Sequence, residues 1–171
     1  IKKIKQLEKE WGMNPIPDEI IFTPNNQEYE PGNVLYNFTP VMLYGLTKWG
    51  DLFNARQKLA LVTLSEKIRN AYQEMLKDGI TKEYAIAITT YLALGVDRIA
   101  DRNSILSVWN NLAEKQEHTF GRQALPMVLD YAETNVVNGS QGWDKQFEYI
   151  LAALKNLVIP SIEISLPYVH Q

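Results

Sequence analysis

Residues 84–96 read YAIAITTYLALGV without a single charge. The run is well short of the roughly 20 apolar residues that a bilayer-spanning helix needs. It therefore predicts a buried core helix. Thr81 stands where an N-cap belongs, with Tyr84 three residues on instead of the Glu or Gln of a full capping box. The last turn, DRIADRN, brings charge back abruptly, so the helix is expected over 82–101 and at the centre of the fold.

A second long pattern precedes it. Asn54 can cap a helix running to about Lys77, and KDG then places Gly79 in the C′ position. Leu61, Leu64, Ile68, Ala71 and Met75 recur at three and four residues, with Lys58, Glu66, Lys67, Asn70 and Glu74 elsewhere, so this helix lays one face on a core.

At the start of the chain, Ile4, Leu7 and Trp11 mark a short amphipathic helix closed by Gly12. From Asn14 to Pro40 the recurring prolines remove donors and bias their neighbours to extended backbone, which predicts an ordered arm with DEIIF and NVLYNF as its strand candidates. SILSVWNNLAEKQEHTFG has weak periodicity and reads as a short helix or loop leading to a turn. ALPMVLDYAE reads as a further helix with proline in its first turn. NVVNGSQG is a loop by composition, and WDKQFEYILAALKNLV is a last amphipathic helix facing inward with Phe147, Ile150, Leu151, Leu154 and Val158. The tail from Pro160 alternates in a way that could add one strand. The expected fold is mainly α: a single domain over 1–171 of four to five helices, with a short helix over 1–12, a proline-rich arm over 13–43, a helical core over 44–171, and at most a few short strands.

With 171 residues, 46% apolar and 22% charged, the chain has the composition of an ordinary globular domain. A formal net charge of -3 supplies no global attraction to phosphate backbones or anionic lipid, so nucleic-acid contact would need a local basic patch. The absence of cysteine excludes disulfides, thiolate metal sites and cysteine nucleophiles. No secretory h-region opens the sequence, which sets the expectation of a cytoplasmic protein without membrane contact.

Catalytic constellations are sparse. His118 and His170 are the only imidazoles, so a histidine-based metal site or nucleophilic triad would rest on His118. Asp97 and Asp101 share a helical face at i, i+4, but Arg98 and Arg102 beside them favour an ion-paired helix end over a catalytic pair. Three stretches remain. In YGLTKWGDLFNARQKLAL, Lys48 and Arg56 flank Trp49 and Phe53, and Gln57 follows; cations beside flat aromatic faces suit single-strand or flipped-base binding. DRIADRN ends the apolar helix with Arg102 and Asn103. HTFGRQALP places Arg122 and Gln123 after a glycine, where backbone N–H groups and a guanidinium could hold a phosphate. Each has a plainer structural reading: aromatic corner packing, helix-end salt bridges and a capped turn.

YGLTKWGDLFNARQKLAL, YLALGVDRIADRNS and TFGRQALPMVLDYAETN resemble consecutive segments of a prokaryotic family of adenine-specific DNA methylases, large proteins some of which carry a zinc ribbon. The resemblance runs from about Pro15 to Leu157. It implies methyl transfer from S-adenosylmethionine to the exocyclic amino group of an extruded adenine. The family's Phe-x-Gly-x-Gly cofactor motif would precede this region and its Asp-Pro-Pro-Tyr motif would follow. Neither is present here, which departs from the whole enzyme and implies an inactive interior segment without a cofactor of its own. The partners implied are DNA, through the parent protein, and the remaining catalytic domain. Lys48, Trp49, Arg56, Gln57, Arg102, Asn103, Arg122 and Gln123 are the candidates for a DNA- or cofactor-facing surface. The alternative is a scaffold whose apolar surface braces the catalytic domain without touching DNA.

Overall fold

The computed structural model describes residues 2–21, 40–122, 124–125, 127–130 and 132–164, with the backbone alone for 158–164. Among the described residues four α-helices form: α1 (Lys2–Trp11), α2 (Ala55–Lys77), α3 (Lys82–Arg102) and α4 (Trp143–Ile164). The sole sheet among the described residues is an antiparallel hairpin of β1 (Trp109–Asn110) and β2 (Lys115–Gln116), in register Trp109 with Gln116. The chain is thus a mainly α domain. No helix among the described residues is long and apolar enough to cross a membrane.

The long helices begin and end where their punctuation lies. Asn54 Oδ1 accepts from the Arg56 and Gln57 amides at 2.9 Å each, and Gln57 Oε1 accepts from the Asn54 amide at 2.9 Å, which completes a capping box. Gly79 takes φ +81° just after α2, the left-handed turn that lets α3 fold back along it. Thr81 precedes α3 without using its hydroxyl as a cap. The short helix α1 docks on α2 through the fully buried Leu7, an ion pair of Lys3 with Glu66, and Arg69 stacked 4.4 Å over the Trp11 ring.

α3 packs between α2 and α4, yet it is not the all-round buried helix that its apolar run predicts. Only Ala85, Gly95, Ile99 and Arg102 are buried along it, while Tyr84, Ile86, Tyr91 and Leu94 are exposed. Tyr84, Ala87, Tyr91 and Leu94 fall at i, i+3, i+7 and i+10, so one open stripe is apolar. Gly95 sets the approach of α4: a Cβ there would stand 3.0 Å from the Trp143 ring, itself stacked on Phe147 at 5.6 Å. On α4, Phe147, Ile150 and Leu154 are partly covered as expected, but Leu151 is exposed.

The largest buried cluster lies elsewhere. Ile21, Val41, Met42, Leu52, Leu106 and Leu125 form it, with Trp49, Phe53, Ile105 and Met127 packed around them. Its members come from loops and two 3₁₀ turns, Pro40–Tyr44 and Trp49–Leu52, where the chain reverses too tightly for α-helix. The arm supplies Ile21 and straps this corner: Gly50 N donates to Pro17 O at 2.9 Å, Trp49 N to Glu19 O at 3.1 Å, and Ile21 N to Thr47 O at 2.9 Å. Instead of a strand, the described part of DEIIF makes one antiparallel bridge, Ile20 with Lys48. NVLYNF lies outside the described residues.

Three other expectations need correction. The weakly periodic stretch after α3 carries the hairpin, whose turn is built by Asn110 Oδ1 accepting from the Leu112 and Ala113 amides at 3.0 Å and closes with Glu114 at φ +47°. ALPMVLDYAE forms no helix in its described residues, and Leu129 is 92% exposed. It is tied to the core at Leu125 and to the start of α2 at Glu133, contacts that a local helical pattern does not anticipate. The helix of residue 143 onward continues through Pro160 to Ile164 rather than yielding to a strand there. Extending an existing helix needs no new nucleus, whereas a strand needs a partner.

Candidate functional site

The three stretches singled out by sequence meet at one junction, where the start of α2, the end of α3 and residues 117–134 converge. Its wall is the corner 44–57, and the local chemistry explains why that segment is so rich. Gly45 takes φ +82°. Asp51 Oδ2 accepts from the Thr47 and Lys48 amides at 3.1 and 2.9 Å, closing the 3₁₀ turn over itself. Gly50 lets the Pro17 carbonyl come within 2.6 Å of where a Cβ would be. Leu52 is fully buried, and its carbonyl accepts from Ile105 N at 2.9 Å, joining the corner to the segment after α3.

Side chains then cross-link the stretches. Trp49 meets Phe120 at 6.3 Å between ring centroids, tilted by 57°. Arg56 Nη2 binds Glu133 Oε2 at 2.8 Å, and Asn54 Nδ2 binds the other carboxylate oxygen. Thr134 N donates to Asn103 Oδ1 at 3.4 Å, and Ser104 Oγ shares a proton with Thr119 Oγ1 at 2.7 Å.

At the end of α3 a polar network holds the hairpin. Arg102 donates to Gln116 O at 3.2 Å and to His118 Nε2 at 3.0 Å, while His118 Nδ1 bonds Asp101 Oδ2. A guanidinium can only donate, so Nε2 accepts in this arrangement and Nδ1 carries the proton toward Asp101. Asp101 also receives the Phe120 amide at 2.9 Å on its other oxygen. The imidazole is therefore spent on both nitrogens and is not poised to take a proton from a nucleophile. No ion pair between Asp97 or Asp101 and Arg98 or Arg102 occurs among the described residues: Asp101 meets His118 instead, Arg98 lies 5.0 Å over the Tyr149 ring, and Arg102 faces the hairpin. No group of three or more His, Asp or Glu side chains suited to a metal occurs among the described residues.

Beside the network, Glu117 accepts from Asn110 Nδ2 at 2.8 Å and lies 3.6 Å from Lys115 Nζ. The Asn110 hydrogen bond, helped by the positive Lys115 and Arg102, holds its carboxyl below the usual glutamate range.

Of the candidate contact residues, Lys48, Arg56 and Arg122 are exposed on the junction, and Trp49 is half-buried against Phe120 and the core. Gln57, at 2% exposure, gives its Oε1 to the α2 capping box while its Nε2 is buried without a partner among the described residues, and Arg102 and Asn103 are buried in the network and the Thr134 contact. These three are turned into the fold and not onto the open rim. Gln123 lies outside the described residues. Sequence reading missed the Asp101–His118–Arg102–Gln116 connection, because its members belong to α3 and a hairpin whose pairing has no periodic signature; the turn-forming Asn110 was the available sign.

Neither a protein-family model, a curated protein nor a solved structure matches this chain.

Proposed function

We propose that this chain is a non-catalytic helical segment of an S-adenosylmethionine-dependent adenine-specific DNA methylase, and that the rim of the junction forms part of its DNA- or cofactor-facing surface. The supporting observation is the Trp49–Phe120 contact, which brings two resembling stretches together with exposed cations, Lys48 and Arg122, next to them in the chain. Cations beside partly exposed aromatic rings suit phosphate and base contact. The interior of the junction is a brace: Asp101, Arg102, His118, Asn103 and Glu133 are engaged with one another or with neighbouring backbone and side chains, and no nucleophile and base are aligned among the described residues.

A second role is favoured by a separate observation. The exposed stripe Tyr84, Tyr91 and Leu94 on α3 suits docking on the remaining catalytic domain. Titration of the chain with labelled single- and double-stranded DNA at two salt concentrations tests the surface reading. Each phosphate contact contributes about -0.7 to -0.9 to the slope of log affinity against log salt, so Lys48→Gln and Arg122→Gln should each flatten it by about one contact. A flat response in the unaltered chain overturns direct DNA contact and leaves the bracing role. Methylation of DNA by this chain alone would overturn the non-catalytic assignment.

A further inference from the structure

We propose that the cleft beside the hairpin binds a small ligand carrying one anionic group, a carboxylate or phosphate monoester, on an apolar or planar body, with Arg122 as the charged anchor. The cleft has a volume of about 490 Å³, and its lining mixes the apolar Leu106, Val108 and Val128 with Glu117, His118 and Arg122. That is the size and mixed lining of a small-molecule site.

The charges around it fix the ligand's sign. Asp101 is taken by His118 and the Phe120 amide, Arg102 by Gln116 O and His118, and Glu117 by Asn110 and Lys115. Among the described residues no carboxylate pairs with Arg122, so the cleft wall carries one uncompensated positive charge. A guanidinium offers two parallel donors to an oxyanion. Arg122 is the one Lys or Arg in the cleft's lining among the described residues, so the lining offers a fork to one anionic group. The His118 side chain is 48% exposed although both its nitrogens are engaged, so what it shows to solvent is ring carbon and a π face. Together with the exposed Val108, that surface suits a planar or apolar body.

The site shares Arg122 with the surface proposed above, but its basis is the cleft alone and it does not rest on the methylase reading. Titration of the 171-residue chain with phenyl phosphate and with inorganic phosphate, followed by calorimetry and by the backbone resonances of Gly121 and Arg122, tests it. Phenyl phosphate should bind about 10-fold tighter than inorganic phosphate. Arg122→Gln should weaken it by about 10-fold or more, as expected for loss of a charge-assisted fork. Val108→Asp, also an exposed position, should remove the preference for the phenyl body, and Lys67→Gln, at an exposed lysine of α2, should change nothing. Equal affinity for the two anions, or an Arg122→Gln variant that binds phenyl phosphate as the parent does, overturns the proposal. Failure of a short oligodeoxynucleotide to displace phenyl phosphate upholds a free small molecule as the ligand, and displacement assigns the cleft to nucleic acid and overturns the small-ligand proposal. Phenyl phosphate binding with a flat DNA titration would sink the DNA surface and keep this site, and the converse result would do the reverse.

Discussion

Gly50→Ala is the sharpest test of how the arm is held. An added Cβ would stand 2.6 Å from Pro17 O and 2.6 Å from Ile16 Cγ2, well inside van der Waals contact. The methyl of Ile16 can rotate away, but the carbonyl belongs to the backbone and accepts the Gly50 amide at 2.9 Å, so the strap itself must lift. Overpacking of this kind costs about 1–3 kcal/mol, and loss or stretching of the strap hydrogen bonds adds about 1 kcal/mol each. Restriction of the unfolded chain by alanine returns only about 0.4–1 kcal/mol. The expected net loss is about 1–3 kcal/mol, read by urea denaturation with tryptophan fluorescence, since Trp49 sits beside the change. Gly45→Ala is the control: it adds a Cβ at φ +82° with nothing within 4 Å, so its cost is backbone strain alone, about 1 kcal/mol. Ile16→Ala should not rescue Gly50→Ala, because the carbonyl remains. A Gly50→Ala variant with the parent's stability, or full rescue by Ile16→Ala, would show that the strap is not seated as described.

Four further outcomes follow from the same geometry. Gly95→Leu should destabilise by more than about 2 kcal/mol by driving the Trp143–Phe147 stack off α3, measured by the same denaturation curve. Tyr84→Gln, Tyr91→Gln and Leu94→Gln together should move stability by no more than about 0.5 kcal/mol each, because that stripe is exposed; a larger loss would mean that it is core. Asn110→Ala should raise the Glu117 pKa toward its ordinary value in a carboxyl NMR titration, an unchanged value refuting the assigned cause. Because the folded-state pKa is depressed, the stabilisation from Glu117 is fully present above the unfolded range near ~4.3 and is lost as the pH falls through the folded value, and Asn110→Ala should shrink that acid-side loss.

Much of the helical frame is legible from local signals. Asn54 as the cap of α2 and the glycine of KDG act on neighbours within a few residues, which capping rules read directly, although Gln57, whose side chain completes that cap, reads by sequence as a contact residue. The prediction for α3 failed on the outer face, because an apolar run records what could be buried and not what is available to cover it. Glu133 reaches Asn54 and Arg56, nearly eighty residues back, and no local pattern encodes that reach.

The candidate site divides in the same way. Sequence alone picked out the three stretches and the residue types that make them unusual, because aromatic, cationic and glycine residues clustered near helix ends are visible without a fold. Tertiary structure decided what each side chain does. Gln57, Arg102 and Asn103 turn inward because unpaired backbone groups at a cap, a hairpin and a loop need their hydrogen bonds, while Lys48 and Arg122 stay at the surface. Burial and pairing are properties of the whole packed chain, so a sequence can name the participants in a junction before it can say which of them face out.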